Sequence, residues 1–353
     1  MKLLIITPYP YGEAPSQRFR FEQYLDTLEH KGFQITQHSF LSKEGWKILY
    51  KDGKNLSKAI HILNGFLRRL FSLASIAQYD FILIHREASP VGPPVFEWAI
   101  AKIFRKKIIY DFDDAIWLKD PSETGLKALV KWKSKVASIC QWSYTVSCGN
   151  EYLANFARHY NNNVILNPTT IDTKNVHIPH SRPENALPVV GWTGTHSTMP
   201  YLEIILPVLK KLQQKIPFKF LIISNKPPGF QLDTMEYILW SKTTEIEDLN
   251  HIDIGIMPLY DDLWSAGKCG FKALQYLALS KPALVSPVGV NSKIINHGTN
   301  GFICTNNHDW EHYLKILLQD PKLTRNMGIA GRKFVEDHYS VNSNEDNFLS
   351  LFE

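Results

Sequence analysis

Twice along this chain, short apolar runs alternate with segments of helical period, and one polar, aperiodic stretch separates the two series. The first series reads KLLIIT, FEQYLDTLEHKGF, YDFILIH, VFEWAIAKIFR, KKIIYDF and WSYTVS; the second reads PVVGWTG, YLEIILPVLKKLQQ, FKFLIIS, HIDIGIMPL, PALVSPV and GFICT. Strands separated by helices demand a parallel sheet with both faces covered, because parallel neighbours need a long crossover. At 353 residues the chain is long enough for two such domains. The expected fold is therefore α/β, with two doubly wound Rossmann-like domains over residues 1–172 and 188–333. A linker is expected at 173–187, TKNVHIPHSRPENAL, which is polar and carries two prolines. The last segment, 334–353, ends in the apolar FLSLF and is expected to pack back on the first domain.

One segment of the second series, Asp253 to Gly289, is polar at a particular place. IGIM stops at Pro258, a loop follows with Asp261, Asp262, Trp264 and Gly267, and a helix is expected to open near Lys268. Lys268, Lys272 and Gln275 are spaced i, i+4, i+7 and would share a face, with Phe271, Leu274 and Ala278 on the opposite stripe. Two lysines at that spacing repel, and a helix start already carries partial positive charge. An anion relieves both, and a phosphate at a helix N-terminus is the simplest one. The plain alternative is a solvated helix face.

Ligands of open parallel sheets sit outside the carboxyl ends of the strands. Sorted by that rule, the polar candidates are few. Arg18 and Arg20 follow the first strand in PYPYGEAPSQRFR; His85, Arg86 and Glu87 follow FILI; Asp111, Asp113 and Asp114 follow KKIIY. Gly191, Thr193, Gly194, Thr195 and His196 close the first strand of the second domain. Groups from both domains are expected to face each other across a cleft, which makes it the expected active site. Trp192 and Trp264 either stack on a ligand or belong to the core.

Composition, with 44 % hydrophobic and 21 % charged residues, is that of a soluble globular chain. No run approaches the roughly 18 apolar residues of a membrane span, and the opening MKLLIITPYPYG has too short an apolar stretch for a signal peptide. Cys140, Cys148, Cys269 and Cys304 show no metal-type or paired spacing, so reduced thiols and a cytoplasmic setting are expected. Residues 1–175 carry 23 Lys/Arg against 16 Asp/Glu, whereas the remainder carries 16 against 18. The excess is concentrated where Lys43, Lys47, Lys51, Lys54, Lys58, Arg68 and Arg69 meet only Glu44 and Asp52. That stretch runs into AIHILNGFLRRLFSLASIA, so residues 41–76 suggest either peripheral attachment to an anionic membrane surface or an ordinary surface helix. No nucleic-acid-binding motif accompanies the charge.

With this order in place, the chain resembles the family 4 glycosyltransferases of the GT-B fold over nearly its whole length. The resemblance rests on SYTVSCGNEYLANFA, on VILNPTTID, on VVGWTGTHST and most specifically on DIGIMPL followed by GKCGFKALQYLALSKPALVSPVGVN and NGF. It implies a retaining hexosyltransferase that moves a sugar from a nucleotide-diphosphate donor, held by the second domain, to a glycan or lipid-linked acceptor at the first. Cell-envelope or exopolysaccharide synthesis is the implied setting, with no cofactor and no metal.

The resemblance also assigns residues. Lys268, Arg18 and Asp113 are the expected catalytic groups. Gly194, Thr195, His196, Lys268, Gly270, Lys272 and Gln275 are expected at the donor; Arg20, Arg86, Asp111 and Asp114 are expected at the acceptor. Asp111 or Asp114 is also a candidate cap for the following helix, and Asp113 stands where the family has a histidine. The DFDD run is not read as a metal site, since it falls in the acceptor domain. The chain departs from the family at its two glutamates, where Gly267 and Gln275 stand. Gln275 retains hydrogen-bonding capacity for a ribose hydroxyl. The family's arginine is absent from the first strand of the second domain, and Lys268 substitutes. The glycine pair after the first strand is replaced by the Arg18 loop. These departures keep two other classes open: a sugar-nucleotide epimerase or phosphorylase of the same fold, and a non-catalytic nucleotide-sugar-binding or assembly protein.

Overall fold

Nine apolar runs of the sequence become buried parallel strands in the computed structural model, which describes residues 1–49, 53–118, 132–180 and 186–353. Lys51 and residues 181–185 of the expected linker lie outside the described residues. The chain divides into two units. The first comprises Met1–Thr169 with Glu345–Glu353, and the second Thr170–Asn344.

The sheet of unit 1 has the order β2-β1-β3-β4-β5-β6, all parallel: β1 Lys2–Thr7, β2 Gln34–Ser39, β3 Phe81–His85, β4 Lys107–Phe112, β5 Thr145–Cys148 and β6 Val164–Leu166. Leu3, Leu4, Ile82, Ile84, Ile108 and Ile109 are fully buried, as strands covered on both faces require. Its helices include α1 (Asn55–Ala74) and α2 (Glu151–Arg158). α2 starts where Asn150 adopts extended backbone and its Oδ1 accepts the Leu153 N–H at 2.9 Å, a cap worth about 1 kcal/mol. Glu345–Glu353 returns to this unit, where Phe348 stacks on Tyr24 at 4.2 Å and Phe352 meets Phe33 and Phe81 edge-on.

Unit 2 repeats the plan with the order β12-β11-β10-β7-β8-β9: β7 Val189–Gly194, β8 Lys219–Ser224, β9 Met235–Leu239, β10 Ile254–Met257, β11 Ala283–Val285 and β12 Gly301–Ile303. Its core joins Trp192, Phe220, Ile222 and Ile256 to Leu209 and Leu212 of α3 (Leu206–Gln213) and to Trp310 and Leu314. Three further helices shape the site: α4 (Glu245–Asn250), α5 (Phe271–Ala278) and α6 (Pro321–His338). Two glycines let α6 lie against α5 and the turn after it. A Cβ on Gly328 would sit 2.0 Å from the Ser280 carbonyl oxygen, and one on Gly331 would sit 2.6 Å from Leu277. Arg332, one residue on, donates to the carbonyls of Ala278, His177 and Thr173. Residues 173–180 of the expected linker pack within this unit, His177 being fully buried.

The strands missing from the sequence reading are β2, β6 and β9, and each is an edge strand. An edge strand is only partly covered, so QITQHS, VIL and MEYIL are mostly half-buried and lack the continuous apolar run that betrays a central parallel strand.

Candidate functional site

In unit 2, β8 and β9 lie to one side of β7 and β10, β11 and β12 lie to the other. Successive crossovers therefore part company between β7 and β10. The carboxyl ends of the strands at such a switch point are the position at which doubly wound sheets bind ligands. The residues leaving β7 and β10 flank that point.

From β7 come Gly194, Thr195 and His196. A Cβ on Gly194 would fall 2.5 Å from the Trp192 ring and 2.8 Å from Thr198 Oγ1, so the chain turns there with no side chain. The Thr195 and Ser197 hydroxyls are 2.8 Å apart. His196 donates its backbone N–H to Asn225 Oδ1 at 2.8 Å, and its ring approaches the same amide group. Asn225 follows β8, and the rule that selected the other strand-end residues would have selected it too. Trp192 itself belongs to the core, at 1 % exposure.

From β10 the chain passes through a single helical turn, Leu263–Ala266, capped by Asp262 Oδ1 accepting the Ser265 N–H at 2.6 Å. The following helix does not open near Lys268 as expected. Gly270 takes φ +70°, and a Cβ there would meet Ile294 at 2.1 Å, so the turn is reserved for glycine and α5 begins at Phe271. Lys268 therefore lies in the turn before the helix and shares no helix face with Lys272. Its Nζ sits 5.3 Å from the Trp264 ring centroid, and Lys272 Nζ sits 5.7 Å from that of Trp192. Both lysines are half-buried. They stand at the positive end of α5, where first-turn N–H groups point out of the helix.

Gln275 faces inward rather than onto the lysine face. It is 1 % exposed, and its amide donates to Glu245 Oε1 at 3.4 Å. Glu245, the first residue of α4, supplies a buried carboxylate that the sequence reading missed. No local motif announces it, because the two residues are brought together only by the fold. Tyr276 was missed for the same reason. Its hydroxyl accepts the Thr193 N–H at 2.9 Å and lies 3.5 Å from the Ile256 carbonyl, joining α5 to both β7 and β10. Gly255 makes room, since a Cβ there would lie 2.2 Å from the Tyr276 ring.

In unit 1 the strand-end residues separate into two groups. Arg20 and Asp111, expected at an acceptor, are 1 % and 2 % exposed and serve the sheet. Arg20 forms an ion pair with Asp111 and donates to Ser147 Oγ at 3.2 Å and to the Asn167 carbonyl. His85 Nδ1 lies 2.8 Å from the same carboxylate and Ser147 Oγ 2.6 Å. Burial works against ionisation of Asp111, but Arg20 and then His85 outweigh it and hold the carboxyl well below its usual range. The segment 119–131, where a helix capped by Asp111 or Asp114 is expected, lies outside the described residues.

The second group is more open. Arg86 adopts φ +60°, uncommon for a side chain of this size. Its backbone is held there by its N–H on the Asp111 carbonyl and by the Tyr110 hydroxyl on its own carbonyl, each at 2.7 Å. The guanidinium thereby reaches Asp113 at 2.7 Å and Asp114 at 3.4 Å. Burial opposes the Arg86 charge, but the two carboxylates raise its pKa above the ordinary value. Glu87 pairs with buried Lys135 at 2.8 Å. Arg18 ends a short turn, Pro15–Arg18, with its guanidinium over the Phe19 ring at 4.9 Å. Among the described residues no cluster of three or more His, Cys, Asp or Glu could hold a metal ion.

Two six-stranded parallel sheets with flanking helices, each wound in both directions, define the GT-B architecture. Solved structures share it over almost the entire chain. The sucrose-phosphate synthase of Thermosynechococcus elongatus aligns over 99 % of this chain and 96 % of its own, with a TM-score of 0.71 at 12 % identity. A glycosyltransferase of Rickettsia africae aligns over 99 % and 97 %, with a TM-score of 0.68 at 13 % identity. Anabaena HepE, solved with UDP-glucose, aligns over 99 % of both chains, with a TM-score of 0.64 at 12 % identity. Residues 230–334, which contain the Lys268 turn and α5, match the family model described as Glycosyl transferases group 1. No curated protein matches the chain by sequence.

Proposed function

We propose that the protein is a glycosyltransferase that takes a sugar from a nucleotide-diphosphate donor. The carrying observation is the topological switch between β7 and β10, where the Gly194–His196 turn leaves one strand, Lys268 and α5 follow the other, and Lys272 and Tyr276 of α5 reach Trp192 and Thr193 of β7. The match of residues 230–334 to the glycosyl transferases group 1 model supports the reading. The diphosphate would lie at the positive end of α5, with Lys268 as its counter-ion.

In the proposed reaction the bond between the anomeric carbon and the phosphate oxygen breaks while the bond to the acceptor oxygen forms on the same face. The acceptor proton passes to the leaving phosphate, so the configuration is retained and no metal is required. Negative charge grows on that phosphate as the bond breaks. Lys268 and the first-turn amides of α5 therefore stabilise the transition state more than the ground state. On unit 1, Asp113 is oriented by Arg86 to accept a sugar hydroxyl. Arg18 is the proposed second cation. The acceptor class is a glycan or a lipid-linked sugar of the cell envelope or an exopolysaccharide. The chain would represent a subgroup in which Gly267 and Gln275 replace the family's two glutamates.

A panel of nucleoside diphosphates tests the donor site, because a ligand that binds only the folded state raises the melting temperature by mass action. At least one diphosphate is expected to do so; no shift with any of them removes the assignment. Lys268→Ala is expected to lower turnover about 100-fold or more with the melting temperature of the free protein unchanged. One observation favours a second reading, a non-catalytic nucleotide-sugar-binding protein: the Gln275 amide is spent on Glu245 within the fold. Measurable turnover of a sugar nucleotide, even slow hydrolysis, rules that reading out.

A further inference from the structure

The α1 helix is inverted with respect to the protein that carries it. Leu56, Ile60, Leu63, Leu67 and Leu70 follow one another at alternating spacings of four and three, forming a single stripe, and Phe71 adjoins it. In a surface helix such a stripe normally faces the core. Here these residues are 46–77 % exposed, and Phe71 and Leu56 reach the upper figure. The side that meets the rest of the unit carries Gly65, Arg69 and Ser72 beside Phe66, which packs on the Phe40 and Phe96 rings at 5.4 and 6.0 Å. Gly65 rests against the Phe40 ring, and a Cβ there would fall 2.5 Å from it. Arg69 is 1 % exposed and donates to the carbonyls of Ala88 at 2.6 Å, His38 at 2.9 Å and Thr7 at 2.6 Å. Ser72 Oγ lies 2.8 Å from His38 Nδ1. These contacts fix which side points out. The leucines cannot turn inward without stripping Arg69 from three buried carbonyls.

What covers the stripe is indicated by charge. Lys58 and Arg68 flank it, Lys54 stands at its start, and residues 55–74 contain no acidic residue at all. The short helix Lys43–Leu49 before it adds exposed Lys43 and Lys47 against Glu44. A second copy of the helix would bring basic flanks against basic flanks, lacking the opposite charges that pair helices across such a seam. An anionic bilayer satisfies both halves of the pattern, with apolar side chains entering the acyl boundary and lysines meeting the headgroups. No described helix is long and apolar enough to cross a membrane. We propose that α1 lies in the surface of an anionic membrane, its Leu56–Phe71 face inserted, and so holds the protein at the bilayer.

Flotation of the full chain with lipid vesicles tests this. The protein is expected to rise with vesicles of phosphatidylcholine and phosphatidylglycerol, to remain below with phosphatidylcholine alone, and to be released by high salt. Leu63→Glu with Leu67→Glu should abolish flotation while leaving the melting temperature unchanged, because both positions are exposed. Lys54→Glu with Lys58→Glu should weaken binding about tenfold or more. The inference is overturned if the wild type stays below with anionic vesicles, or if it floats equally with neutral ones. A concentration-dependent dimer in light scattering that disappears in the leucine variant also overturns it, assigning the stripe to a second copy. None of these readouts depends on sugar transfer.

Discussion

The Tyr276 hydroxyl accepts the backbone N–H of Thr193 at 2.9 Å and thereby ties α5 to the carboxyl end of β7. Both are buried, and burial pushes the phenol well above its usual titration range, so it stays neutral and available for this contact. Tyr276→Phe leaves the Thr193 N–H without its partner in a dry environment, a loss of about 1–3 kcal/mol. Chemical denaturation should show that loss. Titration with the nucleoside diphosphate that stabilises the wild type should show weaker binding, since Gly194, Thr195 and His196 follow directly.

The lysines at the start of α5 should separate kinetically. Lys268 sits in the turn that leads to the first-turn amides, whereas Lys272 lies on the helix with its ammonium toward Trp192. Lys268→Ala is expected to reduce kcat and kcat/KM together. Lys272→Ala is expected to raise the donor KM with a change in kcat of about tenfold or less. Steady-state kinetics with varied donor concentration distinguishes the two patterns.

Asp111 contributes to the acid-side pH dependence of unit 1. Its folded pKa is depressed by Arg20 and His85 against the opposing effect of burial, so the folded state binds fewer protons than the unfolded one as the pH falls below about 4. The stabilisation is complete above that point and is lost progressively on acidification. Asp111→Asn should flatten the acid limb of a denaturation series. At neutral pH it should also cost about 3–5 kcal/mol, because buried Arg20 loses the carboxylate it is paired with.

Gly328 offers a test of packing. Its place against the Ser280 carbonyl leaves no space for a methyl group, and backbone on the other side does not move aside as a side-chain tip would. Gly328→Ala should destabilise unit 2 by about 1–3 kcal/mol, seen as a lower melting temperature. Ile329→Ala, one residue on and 65 % exposed, should leave it nearly unchanged.

How much of this was legible beforehand follows from which forces are local. The central strands announced themselves because burial on both faces demands unbroken apolar runs such as KLLIIT and FKFLIIS. The same requirement is relaxed at sheet edges, where β2, β6 and β9 went unread. The strand-end rule places Gly194, Thr195, His196, Arg86 and Asp113 at the ends of strands, as the structure does, because that position depends only on where a strand stops. It could not separate an exposed strand-end residue from a buried one, so Arg20 and Asp111 were expected at a ligand and form a buried ion pair. Helical spacing grouped Lys268 with Lys272, but a left-handed Gly270 broke the helix between them. Glu245 and Tyr276 depend on contacts between distant segments and leave no local trace. The exposure of the α1 leucines belongs to the same class, since periodicity shows that a stripe exists but not which way it faces.

The two glycines that bring α6 onto α5 have a mechanical consequence. Backbone pressed on side chains and carbonyls, with Arg332 bonded to the last carbonyl of α5, leaves that helix little room to slide or tilt. The turn before it is packed as closely, since a Cβ on Gly270 would fall 2.1 Å from Ile294 and one on Gly289 would fall 2.9 Å from the Ala266 carbonyl oxygen. Unit 2 thus presents an arriving anion with a backbone set in advance, and the adjustment falls to the long side chain of Lys268.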